Sequence, residues 1–267
     1  MILLSFFAQE IALGSMAALA VFALREIPGG FPSLIAHIAA AFWGIAGVSA
    51  LRLAAGEGRE TAPAHFLVAV AALVFARLSL RERHGLAKVL LVAVLVAGSW
   101  ALVADGARLA ARVPDNALSA LPFAASLLAS ALLLGAALVT MILGHWYLIP
   151  PPLPFRHLVR GATLFLAACI LRAAVSAASV AYLAGLPQPA VRGAVQRLFR
   201  VDGDVIFFAL RVFWGILGPL VLALLVLRTA RLQANQSATG LLYVSLVFVL
   251  IGELLANFLL GQNALPL

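Results

Sequence analysis

Four ionisable side chains stand where hydrocarbon is expected. Glu10, Arg172, Arg211 and Glu253 each fall inside a long apolar run. An ionisable group near a bilayer centre costs at least about 2.5–3.5 kcal/mol on insertion scales, so each should face protein or water and have a partner. Two acids and two guanidinium groups are a self-neutralising set. At about 1.5 Å per residue, Glu10 lies about 12 Å and Arg211 about 8 Å from one end of their helices. Glu253 lies about 10 Å and Arg172 about 16 Å from the ends that an alternating topology places on the same side. The four could therefore meet. Their helical neighbours agree: Gly14 follows Glu10, Asn257 follows Glu253, Ser176 and Ser179 share a face with Arg172, and Trp214, Gly215 and Gly218 follow Arg211. Small and polar residues at these spacings mark faces packed against protein. One reading of the cluster is an ion-pair network that clips helices together. The other is a polar pocket in one half of the membrane. Such a pocket suits a quinone head group, with Glu10 or Glu253 taking protons and an arginine or Asn257 holding a carbonyl oxygen. It equally suits a gate on an ion or substrate path.

His37 and His145 are a second candidate set. They sit near the same end of two different apolar runs, and two imidazoles at equal depth are what a b-type haem needs. Gly144, beside His145, would leave room for a macrocycle. Against this, the string His145-Trp146-Tyr147 also reads as an interfacial belt. His65, His84 and His157 read as interfacial or solvated. Cys169 is the only cysteine, so no internal disulfide and no cysteine-based zinc or iron–sulfur site can form within the chain. No Walker, HExxH, GxSxG or dinucleotide motif is present, which leaves hydrolase, kinase and soluble-cofactor readings unsupported.

The elements that must position these residues are membrane helices. The chain has 267 residues, of which 64% are hydrophobic and only 10% charged, against about 25% charged in soluble domains. The apolar runs are rich in Ala, Leu and Val without strict alternation, which predicts spanning helices rather than a barrel. The reading is an all-α polytopic bundle, a single transmembrane domain, with spans near 2–24, 33–54, 62–80, 86–103, 118–147, 158–183, 206–227 and 241–260. The first run lacks a basic leading segment and is interrupted by Glu10, so it reads as a retained helix and not a signal peptide. Breaks fall at Pro28-Gly29-Gly30, Gly56-Glu57-Gly58, Asp105-Gly106, Asp202-Gly203 and the stiff Pro150-Pro151-Pro152 link. Val191, Val195, Leu198 and Phe199 recur at helical spacing among Arg192, Gln196, Arg197 and Arg200, predicting an amphipathic interfacial helix over 189–201.

The net charge of +8 is carried by arginines in the short gaps. No basic run is interleaved with exposed aromatics, so topology explains the charge better than nucleic acid does. With both termini outside, inner loops carry nine Lys/Arg and outer loops seven. The expectation is N-out and C-out in a bacterial-type inner membrane.

Phe7-Ala8-Gln9-Glu10 followed by Gly14-Ser15, and Gly252-Glu253-Leu254-Leu255 near the other end, resemble the DmsC/NrfD-type membrane anchor subunits of respiratory oxidoreductases. The resemblance covers about 20 of the residues. It implies a bundle of eight or nine helices that exchanges electrons with quinone, often without haem, beside partner subunits carrying iron–sulfur or haem. Carried over residue by residue, it implies quinone-site roles for Glu10 and Glu253. The leading expectation is a quinone-interacting membrane subunit of an electron-transfer complex, with no catalytic centre of its own beyond that site. A secondary transporter or channel, and a structural or assembly subunit, are the competing classes.

Overall fold

The computed structural model describes residues 2–53, 59–111, 120–148, 153–201, 203–263 and 265–266. Gly56-Glu57-Gly58, Arg112, the start of the fifth run at 118–119, the Pro150–Pro152 link and Asp202 lie outside the described residues. The chain is an all-α bundle in which, among the described residues, eight helices are long and apolar enough to cross a membrane. The α-helices in order are α1 (Ile2–Leu19), α2 (Gly30–Leu51), α3 (Ala62–Leu80), α4 (His84–Ala110), α5 (Ala120–Trp146), α6 (Arg156–Ala184), then the short α7 (Pro189–Arg197), α8 (Val205–Val212), α9 (Gly218–Arg231) and α10 (Asn235–Asn263). The segments α8 and α9 form the seventh crossing together, joined by a π-helical turn over Phe213–Leu217.

An even number of alternating crossings returns the chain to the face on which α1 begins. Leu3 and Gly261 are accordingly in contact. This face, which also carries α7, is called the terminal face below. On the opposite face Glu26, after α1, meets the start of α6: its Oε2 lies 3.1 Å from Arg156 Nη2 and 3.3 Å from His157 Nε2. The helices α1 and α5 are the most enclosed. They cross where Gly14 and Gly135 bring backbone against backbone, as small residues allow in membrane bundles.

Three elements depart from the sequence expectation. Asp105-Gly106 is not a break, because α4 continues to Ala110. Packing overrides the turn signal there: Gly106 faces α5, where an added Cβ would stand 2.6 Å from Leu127 Cδ1. The seventh crossing is not a uniform α-helix. Pro219 lacks the N–H that would bond the Gly215 carbonyl, and its ring crowds that carbonyl, so the preceding turn widens. Gly218 N–H bonds to Phe213 O instead, a five-residue step. Third, α1 ends at Leu19, short of the apolar run that continues to Leu24. The predicted amphipathic segment is helical over Pro189–Arg197 and turns thereafter. Val191, Val195 and Leu198 are buried, whereas Phe199 is exposed and packs its ring on Phe208 at 5.4 Å.

The exit of α5 yields a test by pH. The Tyr147 hydroxyl donates to the Pro154 carbonyl at 2.6 Å, and its ring stacks on Phe155. Burial pushes this hydroxyl up to about 12. The folded state thus favours the neutral phenol more than the unfolded state does. The contribution is fully present below the ordinary tyrosine value near 10 and is lost as pH rises toward about 12. The Tyr147→Phe variant should therefore lose less stability than the parent between these values. Thermal unfolding in detergent over an alkaline pH series measures it, and identical slopes would contradict it.

Candidate functional site

The four charges whose depths allow them to meet lie together, in the half of the bundle nearer the terminal face. Glu253 of α10 is the hub. Arg172 of α6 approaches it side-on, with Nε 3.1 Å from Oε1 and Nη2 2.8 Å from Oε2. Arg211 of α8 donates from Nη2 to Oε1 at 3.1 Å. Ser130 of α5 donates to Oε2 at 2.8 Å. Arg172 Nη1 continues to Ser126 at 2.9 Å and Ser176 at 3.4 Å. Glu10 of α1 joins through Asn257, whose amide donates to Glu10 Oε2 at 2.8 Å and to the Glu253 backbone carbonyl at 3.1 Å. Glu10, Arg172, Arg211, Glu253 and Asn257 are all 3% exposed or less. Two acids and two arginines sum to zero when all are ionised, which is how such a set is tolerated in hydrocarbon.

Local sequence explains why these side chains reach one another. Gly215 and Gly252 touch backbone to backbone, so the π-helical turn and α10 approach closely enough for Arg211 to reach Glu253. Gly215 also carries no Cβ because Arg211 Nη1 occupies that space. Ser126 and Ser130 were not among the expected site residues. Their spacing of four places both on one face of α5, and a small polar pair at that interval inside an apolar run is the signal that could have found them.

Two cavities adjoin the network. One is a slot of about 10 Å³ bordered by Glu10, Ser126, Arg172, Asn257 and Pro266, near the lower limit for a single water. The other is a groove of about 450 Å³ between α6 and the seventh crossing. Its walls are Ala173, Ala177, Val180, Phe208, Val212 and Ile216, and Arg211 also lines it. Arg211 Nε and Nη1 are buried and have no hydrogen-bond partner among the described residues. A groove with apolar walls and an arginine at its edge suits an amphiphile whose head accepts hydrogen bonds.

The histidines fall elsewhere. His37 is exposed on α2, its Nδ1 2.7 Å from the Ser33 carbonyl of its own helix. His145 is exposed on α5, its Nδ1 3.0 Å from the Tyr243 hydroxyl of α10. Among the described residues no contact joins the two rings. His65 and His157, expected at interfacial or solvated positions, are fully buried: helix packing covers the one against Trp43 and the other beside Glu26.

No family model and no curated protein sequence matches this chain.

Proposed function

We propose that this chain is a quinone- or quinol-interacting subunit of an electron-transfer complex, and that the groove between α6 and α8 admits the quinone ring. The observation that carries the reading is Arg211: a buried guanidinium with two nitrogens that make no hydrogen bond among the described residues, standing at an apolar groove beside a second arginine and two carboxyl groups. A quinone carbonyl accepts from such donors, its apolar tail fits the alanine and valine walls, and the proton that accompanies reduction or oxidation has Glu253 and Glu10 at hand. The groove lies in the half nearer the terminal face, which we place outside on the Lys/Arg asymmetry of the loops. The chain offers no electron carrier of its own in this reading. The electrons pass to partner subunits holding iron–sulfur clusters or haem.

The test is binding of ubiquinone and menaquinone analogues to the purified chain in lipid nanodiscs. Saturable binding is expected. Ala177→Phe, which fills the groove without touching a charge, should weaken it tenfold or more, and Arg211→Met should weaken it comparably. Absence of saturable binding, or binding indifferent to Ala177→Phe, overturns the proposal. A second reading, a structural subunit whose charges only clip helices, is favoured by the complete pairing of Glu253. It predicts that charge-reversed pairs such as Glu253→Arg with Arg172→Glu restore assembly, whereas quinone binding would not return.

A further inference from the structure

A second charged group lies within a spanning helix and takes no part in the network around Glu253. Asp105 sits on α4 about 8 Å from that helix's end at the terminal face. Three helices converge on its carboxylate. Arg108, one turn on, donates from Nη1 to Oδ1 at 2.9 Å. Gln9 of α1 donates from Nε2 to Oδ2 at 2.9 Å. His65 of α3 places Nε2 3.3 Å from the same Oδ2.

The exposure is graded inward. Arg108 is 39% exposed, Asp105 10% and His65 0%. Gln9 is fully buried too. The His65 ring stacks on Trp43 of α2, with centroids 5.6 Å apart and planes at 24°. Among the described residues neither His65 nitrogen makes a hydrogen bond, and Nε2 is within ion-pair range of Oδ2. The Gln9 carbonyl oxygen is also buried without a partner. A clip between helices needs satisfied groups. An imidazole whose Nε2 stands 3.3 Å from a carboxylate oxygen, with no hydrogen bond fixing its tautomer and a solvent-reaching residue alongside, is instead equipped to exchange a proton.

We propose that Asp105 and His65 form a proton-relay site that opens on the terminal face at Arg108 and reaches α1 at Gln9, the residue before Glu10. In the inward step the O–H bond at Asp105 Oδ2 breaks as the N–H bond at His65 Nε2 forms; the return reverses it. No electron moves and no co-reactant is needed. His65 meets Asp105 of α4 and the Trp43 ring of α2; Gln9 of α1 and Arg108 of α4 stand behind it on the same Asp105 carboxylate, and Arg59 and Glu60 lie in the 3-10 turn Arg59–Thr61 that precedes α3. The inference does not depend on the quinone reading.

Trp43 is a built-in reporter, because an imidazolium stacked on an indole quenches its emission. The experiment is a rapid pH jump on the purified full chain in nanodiscs, across about pH 5 to 8, where imidazoles change charge. The expected result is a reversible change in emission complete within milliseconds, absent from Trp43→Phe and from His65→Gln. Asp105→Asn, which keeps the stacking but cannot pass a proton, should slow the relaxation tenfold or more. A change that persists in His65→Gln, no Trp43-dependent change, or an Asp105→Asn variant as fast as the parent overturns the proposal. Should His65→Gln fail to fold, histidine-selective nitrogen NMR of the unaltered chain decides: a buried imidazole whose nitrogen shifts stay fixed over the same range also overturns it.

Discussion

Exchanging Glu253 for glutamine should destabilise the bundle by about 3–5 kcal/mol, the usual cost of leaving buried charge without its counter-ion. Two guanidinium groups converge on this one carboxylate, and both are at most 2% exposed. Glutamine preserves the shape but removes the charge, so neither Arg172 nor Arg211 is neutralised. Neither can turn to water without opening the helices around it. Replacing all four charges, Glu10 included, by Leu or Met of similar volume should recover most of the loss, since pairing in hydrocarbon barely offsets desolvation. Chemical unfolding in detergent, followed by circular dichroism, gives both numbers. A Glu253→Gln variant within about 1 kcal/mol of the parent would show that water reaches the network.

A methyl group at the α1–α5 crossing should be nearly as damaging. A Cβ on Gly14 would fall on the Ala131 carbonyl, and a Cβ on Gly135 on the Gly14 backbone. Main chain cannot give way as a flexible side chain can, so the helices must part. Overpacking costs about 1–3 kcal/mol and sometimes more; with backbone on both sides, Gly135→Ala belongs at or above the upper end. The greater helix propensity of alanine returns only about 1 kcal/mol. Gly44 and Gly240 are matched controls, for nothing lies within 4 Å of a Cβ at either. Gly44→Ala and Gly240→Ala should be neutral or stabilising by up to about 1 kcal/mol. The same unfolding assay separates the two classes. If Gly135→Ala behaves like Gly44→Ala, the crossing is looser than described.

The two groups of residues just discussed differ in how far the sequence discloses them. Apolar runs long enough to span a bilayer are legible one helix at a time, and so is the depth of a charge within each run. That is why the convergence of Glu10, Arg172, Arg211 and Glu253 could be anticipated from arithmetic on separate helices. What arithmetic on depth omits is azimuth. It could not tell that Glu253 would receive both arginines while Glu10 would be reached through Asn257. Asp105 was hidden for another reason: Asp-Gly is a strong local turn signal, and only the presence of α5 makes Gly106 a packing residue inside a continuing helix. His65 and His157 lie close to helix ends, where sequence suggests water, but neighbouring helices cover them. The π-helical turn had a visible cue in Pro219, but its outcome depended on Gly215 meeting Gly252.

That turn also settles a question of phase. Arg211, Gly215, Pro219 and Ala223 are all buried, each four residues after the last. In an unbroken α-helix, at about 100° per residue, three such steps would carry the fourth side chain about 120° around the axis from the first. The extra residue in the widened turn absorbs most of this drift. The seventh crossing therefore keeps a single contact line from one membrane surface to the other. An arginine near one end and an alanine near the other can then address the same neighbouring helices.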